Sequence, residues 1–351
     1  MLLFGKNEDW MVEDCFVVVN KRGVRKSALK GYTKGFGQPA SWTSKYGSIT
    51  FNQHGREFPT GGMNEAGLVI ESMIIEASGY PEPDSRPHIN FQQWQQYQLD
   101  NFSSVEEVIA SNKQIRIENA VFTTIGVHYL VCDRKGNCAI IEFLKGNMLY
   151  YTKETMPIRV LTNITYKELM EFWKEGKLPT NNIGNSVERF ATAADMLERY
   201  DTKTTQSAVD YAFDILKNVS QGSVEEADGE LIRSIIATEW SIVYDIKNLR
   251  IHFRTLENQE IRHIDIKHFD FSCKTPVKVF DIQSEQSGDV TKKFIDYSQH
   301  VNQASVKNVL KKTVWPMPAH DSGTISPYTN KMPENLVDSI SQYPETTICT
   351  E

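Results

Sequence analysis

The chain has 351 residues, 40% of them hydrophobic and 24% charged, and its 38 basic and 45 acidic side chains leave a net charge of −7. That balance argues against a nucleic-acid binder, which depends on a basic face, and no segment approaches the ~20 consecutive apolar residues that span a bilayer. Length and composition suit a globular protein of one large domain or two smaller ones.

Met1-Leu2-Leu3-Phe4 is too short an apolar run for the core of a signal peptide. The five cysteines, Cys15, Cys132, Cys138, Cys273 and Cys349, are an odd and sparse set that does not read as a disulfide framework. Cys132 and Cys138 flank the turn 133–137 and can face each other across a hairpin, yet both are expected as buried strand residues. His128 beside Cys132 makes a weak metal pattern with the wrong turn ligands, so no metal site is expected.

In chain order, residues 16–19 and 24–28 are strand-like and flank the turn Asn20-Lys21-Arg22-Gly23. The chain is organised around the stretch 44–75. It opens as a strand in which Ile49 and Phe51 alternate with Ser48 and Thr50, and passes through a Gly/Pro-rich loop at 55–62. The tight turn Asn64-Glu65-Ala66-Gly67 then leads into an apolar strand at 68–75, so the stretch reads as a long hairpin. Gly61, Gly62 and Gly67 permit positive φ and close backbone approach.

Residues 90–101, with Phe91, Trp94, Tyr97 and Gln98, predict an amphipathic helix, and Ser104 offers the N-cap oxygen of a second, short one. A meander of strands is expected at 128–132, 139–144 and 148–151, with another short strand at 159–161. Helices follow at 166–173, 187–200 and 206–219, then strands at 239–244, 250–254 and 261–266. Helices come in blocks and do not alternate singly with strands, which argues for an α+β fold of paired sheets covered by helices and against a doubly wound parallel sheet. Apolar periodicity weakens after about Ser284, and the tail from Trp315 carries Pro316, Pro318, Pro327, Pro333 and Pro344. The expected division is a domain over 1–284 and a partly irregular C-terminal extension over 285–351.

Three distant segments carry the chemistry. They are Phe4-Gly5-Lys6-Asn7-Glu8-Asp9-Trp10, Gly62-Met63-Asn64-Glu65-Ala66-Gly67-Leu68, and Leu161-Thr162-Asn163 followed by Glu188-Arg189-Phe190. With Thr238-Glu239-Trp240-Ser241 further on, the chain resembles the choloylglycine hydrolase/penicillin V acylase family, the linear amide C–N hydrolases, from residue 1 to roughly 270. Taken alone, Asp9 reads as a turn cap, Asn163 as a strand-end residue and Arg189 as a solvated helix charge; the joint pattern is what carries the resemblance.

The resemblance implies a four-layer αββα sandwich with two stacked antiparallel sheets, of the N-terminal-nucleophile hydrolase type. It implies hydrolysis of an N-acyl amide, penicillin V or a conjugated bile acid by a processed N-terminal cysteine whose own α-amine is the base, with no cofactor and no metal. An α-amine titrates at roughly 7.7–8.0, close to where a general base works best.

Carried onto this sequence, Asp9 holds the α-amine, and Lys6 takes the place of a family arginine near the thiol. Asn163 donates its side-chain amide to the oxyanion beside the backbone N–H of Ile74. Arg189 matches the active-site arginine, and Asn64 shapes the turn. Two departures stand out. A lysine point charge cannot reproduce an arginine fork, and no cysteine precedes the Gly5-Lys6-Asn7 motif, which leads to the expectation of a chain truncated before its first strand and nucleophile.

Cys15 as a nucleophile after cleavage would discard Lys6 and Asp9, and a papain-like pairing of Cys15 with His128 or His54 lacks the helix N-terminus that activates such thiols. The alternative to a hydrolase is an inactive relative that binds small amphiphiles. The expected partner is a small-molecule amide, with no nucleic acid and no membrane span. A homo-oligomer is left open, and a periplasmic or secreted location is implied if the full gene carries a signal peptide.

Overall fold

The structure is a computed structural model, and it describes residues 1–33, 37–75, 77–119, 126–176, 184–201, 207–222, 224–227, 230–233, 236–313 and 334–351. At its centre lie two sheets. The first runs in the order Leu3–Trp10, Ala237–Asp245, Arg250–Thr255 and Arg262–Asp265, antiparallel throughout, with Gly288–Asp289 added in parallel at the far edge. The second has nine antiparallel strands: Asn147–Thr152, Cys138–Leu144, Gly126–Cys132, Val69–Ile75, Gly61–Asn64, Ser48–Asn52, Phe16–Asn20, Lys278–Asp281 and Ile295–Asp296.

The period of two along each strand explains the layers. Ile242 and Tyr244 of the first sheet meet Val17, Val19, Ile49 and Phe51 of the second in one buried core. Val243, between them, points outward against Phe213 and Leu216 of a helix. On the second sheet Ile140 faces the shared core, while Ile141 and Phe143 face Trp94 and Tyr97 of another helix. Helix, sheet, sheet, helix is the αββα order that the resemblance implies.

The helices are α1 (Phe91–Asn101), α2 (Val105–Ala110), α3 (Tyr166–Glu175), α4 (Gly184–Arg199), α5 (Ala208–Asn218), α6 (Gln299–Lys312) and α7 (Glu334–Gln342). Their starts follow local chemistry. Asn90 accepts from the backbone N–H groups of Gln92 and Gln93 to begin α1, and Ser104 with Glu107 forms a capping box at α2. Thr165 and Glu168 do the same for α3, which ends on Gly176 in the left-handed conformation.

Several expectations are corrected. Helix α1 is not amphipathic: Gln92 to Asp100 are all buried, because the strand Ser41–Thr43 and the 53–60 loop cover its polar side. Its glutamines are bound in place, Gln92 accepting from Tyr32 and Gln95 donating to the Pro59 carbonyl. The strands around Asn20-Lys21-Arg22-Gly23 do not form a hairpin, since Val24–Ser27 leaves the large sheet to pair with Ser41–Thr43 and Ile348–Cys349. The stretch 44–75 is a three-strand meander, because Gly61–Asn64 is itself a strand between the two foreseen. Of its glycines, Gly67 has φ +86°, whereas Gly61 is needed for space: a Cβ there would lie 2.0 Å from the Glu71 carboxylate.

Residues 159–161, expected as a strand, form none and pair with no strand among the described residues. Cys132–Cys138 and Cys273–Cys349 are disulfides, leaving Cys15 as the free thiol. The first joins directly paired positions of a hairpin; the second ties the end of the chain to the loop before Lys278–Asp281. Sequence spacing alone could not show the second, because its partners lie 76 residues apart. No helix among the described residues is long and apolar enough to cross a membrane. In the tail, α6 and α7 pack against Trp10, Val12, Tyr32 and Phe58; most of its prolines fall in 314–333, outside the described residues.

Candidate active site

Leu3–Trp10 is an edge strand whose sole partner among the described strands is Ala237–Asp245. Residues 1–10 all line a cleft of about 580 Å³, together with residues from the Val69–Ile75 strand, the 159–163 segment and helices α4 and α5. The foreseen site residues Lys6, Asp9, Ile74, Asn163 and Arg189 all lie on its wall.

Asn163 is held from three sides. Its backbone N–H donates to the Ser186 hydroxyl at 3.1 Å, and the preceding Thr162 hydroxyl donates to the Ser186 carbonyl at 3.0 Å. Arg189 on α4 donates to Asn163 Oδ1 at 3.0 Å, which fixes the amide so that Nδ2 is the donor end facing the strand. Nδ2 reaches the Ile74 carbonyl at 3.1 Å, so the two residues foreseen as oxyanion partners are adjacent. An amide nitrogen has two hydrogens, and one bond to Ile74 leaves the other for a ligand.

Arg189 also approaches Asp9, with 3.9 Å between Nη1 and Oδ2, and its Nε donates to Asn185 Oδ1 at 2.8 Å. Asp9 in turn accepts from the Thr238 hydroxyl at 2.5 Å and from Gln221 Nε2 at 2.9 Å. A register shift between Glu8 and Asp9 bends the strand at this point. Arg189→Ala is expected to free the Asn163 amide at a stability cost of about 1 kcal/mol. The side-chain NH2 resonances of Asn163 should then shift and broaden, and Arg189→Lys should not restore them, since a point charge lacks the fork. Unchanged resonances would show that Ser186 and the Ile74 carbonyl orient Asn163 without the arginine.

Lys6 is 7% exposed, donates to Glu8 at 2.7 Å and lies 3.6 Å from Glu71. Burial would depress its pKa, but the two carboxylates outweigh that and hold it above the ordinary lysine value. Glu71 is buried in an apolar strand and accepts from the Tyr244 hydroxyl. Burial pushes its pKa up to about 7, only partly offset by Lys6 and Tyr244. The nearer partner of Lys6 is therefore Glu8, and Glu71 carries a proton for much of the time near neutrality. Sequence reasoning named neither acid; the signal available was a lone carboxylate inside the run Val69–Ile75.

Asn64 stands away from the cleft and is fully buried. Its Oδ1 accepts from the N–H groups of Ala66 and Leu68, closing the turn as expected, and its Nδ2 donates to the Leu99 and Phe102 carbonyls. The same residue thus shapes the turn and closes the C-terminus of α1, whose last carbonyls have no partner within the helix.

Residues 2–183 and 174–279 match the family model of the linear amide C–N hydrolases, choloylglycine hydrolase family. The chain belongs to that family. A penicillin V acylase of Pectobacterium atrosepticum is 26% identical over 266 residues, 66% of this chain and 69% of the relative. The structure of a penicillin V acylase from Agrobacterium tumefaciens is similar with a TM-score of 0.67 at 26% identity, over 84% of this chain and 94% of that one. A variant of the conjugated bile acid hydrolase from Clostridium perfringens shares the fold, with a TM-score of 0.61 at 19% identity over 81% and 94% of the two chains.

Within this choloylglycine hydrolase-family cleft no free thiol of the chain is placed. Cys132 and Cys138 line it but are joined to each other, and Cys273 is joined to Cys349. Cys15 is 2% exposed, does not line the cleft, and has its pKa driven well up by burial, so it is held as an inert thiol. Of the histidines considered as its partner, His128 is buried against Glu142 at 3.2 Å. His54 lines the cleft on Gln92, its pKa lowered to about 4 by burial.

Proposed function

We propose that this cleft hydrolyses a linear amide C–N bond by N-terminal cysteine chemistry, and that the nucleophile is none of the five cysteines in these 351 residues. The observation that carries the reading is the convergence of Lys6, Asp9, Asn163 and Arg189, from three distant segments, on one cleft wall.

In this scheme a cysteine thiolate, supplied along the open edge of Leu3–Trp10, attacks the amide carbonyl carbon. Its thiol proton passes to the cysteine's own α-amine, which Asp9 holds. The oxyanion of the tetrahedral adduct takes hydrogen bonds from Asn163 Nδ2 and the Ile74 backbone N–H, a donor pair of the kind whose loss typically costs ~10²–10³ in rate. Collapse breaks the C–N bond, the departing amine takes the proton back from the α-ammonium, and water then hydrolyses the thioester to a carboxylate and free thiol. Lys6 supplies positive charge beside the thiolate. The names of the relatives point to penicillin V and conjugated bile acids as first substrates to try. Two disulfides support an oxidising compartment, periplasmic or secreted.

The test has two arms. The 351-residue chain is expected to release no amine from penicillin V or a glycine-conjugated bile acid, while a version extended by a cysteine-headed strand ahead of Leu3 hydrolyses one of them and loses ~10²–10³ of that rate on Asn163→Ala. Hydrolysis by the unextended chain would sink the missing-nucleophile reading, and its loss on Cys15→Ala would make Cys15 the nucleophile. A second reading, binding of amphiphiles without turnover, is favoured by the lack of any free thiol in an intact cleft. Calorimetry would support it by giving saturable penicillin V binding with no hydrolysis in both proteins.

A further inference from the structure

The family match ends at residue 279, yet the cleft wall does not. Leu310 and Thr313, at the end of α6, line the same cleft as Lys6 and Asn163. Leu310 packs into an apolar cluster with Trp10, Tyr32, Ile74 and Phe91, and those four residues line the cleft too. Ile74 belongs at once to this cluster and to the contact with Asn163. The apolar wall that α6 completes therefore adjoins the position foreseen for the reacting carbonyl.

Helix α6 is fixed in place. Asn302 accepts from the Arg56 N–H at 2.8 Å and donates to the Ser341 carbonyl at 2.8 Å. Asn308 donates to Asp14 at 2.8 Å, and Lys312 pairs with Glu13 at 2.7 Å and with Asp14. Val306 and Val309 are buried beneath it. Such a wall sets a dimension of the pocket, as a mobile cover would not.

We propose that Leu310 is a specificity-determining residue, closing the apolar end of the cleft and fixing the size of the acyl group that the cleft accepts. The inference rests on the cleft being the amide site. The acyl half is assigned to this pocket because it stays covalently attached through both steps of the scheme above, while the amine departs after the first. An apolar, walled pocket suits the half that stays.

Binding, which needs no nucleophile, tests this with the chain as it is. Calorimetry with a series of N-acylglycinamides from butanoyl to dodecanoyl should give one best length for the wild type. Leu310→Ala should move the optimum to longer chains by about two methylenes and tighten the longer members about tenfold, and Leu310→Trp should move it the other way. Leu310 is only partly buried, so both variants are expected to keep the wild-type circular dichroism and melting behaviour. The same preferred length in all three proteins overturns the role of Leu310 and leaves the hydrolase reading standing. Failure of the wild type to bind any of the series overturns both, and a shifted length preference with no turnover by the version extended with a cysteine-headed strand counts against hydrolysis alone.

Discussion

Asn64→Ala is expected to destabilise the protein by about 3 to 5 kcal/mol, among the larger effects of a single substitution. Four hydrogen bonds disappear at once from a site with no access to water. The Leu99 and Phe102 carbonyls lie at the end of α1, where intrahelical donors have run out. The N–H groups of Ala66 and Leu68 lose the acceptor that closes the turn into Val69–Ile75. Asn64→Asp should be no better near neutrality, since it keeps the acceptor but turns a carboxylate oxygen toward two carbonyls. Chemical denaturation measures the loss, which corresponds to a fall in Tm of roughly 5–10 °C. A loss below about 1 kcal/mol would mean that the turn and α1 hold together without it.

Glu71→Gln is expected to act through pH. The folded state raises the Glu71 pKa from 4.5 to about 7, burial being the main cause. Below about pH 4.5 folded and unfolded chains both carry the proton, and the group contributes no difference. As pH rises toward 7 the unfolded chain ionises while the folded one does not, so the wild type loses stability over that window and bears the whole cost above it. Glutamine never ionises and keeps an acceptor for Tyr244. The stability of Glu71→Gln relative to wild type should therefore grow by about 3 kcal/mol between pH 4.5 and 8, a shift of some 2.5 pKa steps at 1.36 kcal/mol each.

The groups that face Glu71 (Lys6, Glu8 and Tyr244) are present in both proteins, and their own titrations largely cancel in the difference. Denaturation curves at the two pH values decide the matter. A difference that does not change with pH would mean that Lys6 keeps Glu71 ionised throughout.

Much of the fold was legible in the sequence because its signals are local. Alternation at Ile49 and Phe51, the cap at Ser104 and the turn at Asn64-Glu65-Ala66-Gly67 each depend on residues within a few positions of one another. Where the readings missed, a distant element had intervened. Helix α1 looked one-sided until the Ser41–Thr43 strand and the 53–60 loop covered its glutamines, and Val24–Ser27 was drawn from its neighbour strand by the end of the chain, Ile348–Cys349.

The site divides in the same way. Lys6, Asp9, Asn163 and Arg189 could be named because each sits in a short motif that carries the family resemblance; the blocks of helices and strands argued for paired sheets covered by helices, and the resemblance implied the αββα order. That Arg189 grips Asn163, that Glu71 lies against Lys6, that Cys15 is sealed away and that α6 finishes the cleft are contacts between residues tens to hundreds of positions apart. Sequence determines which groups are available and how each segment runs. Burial, charge pairing and pocket shape arise only when the sheets stack and remote segments share one space, and those are the quantities that set a pKa, orient an amide or limit an acyl chain.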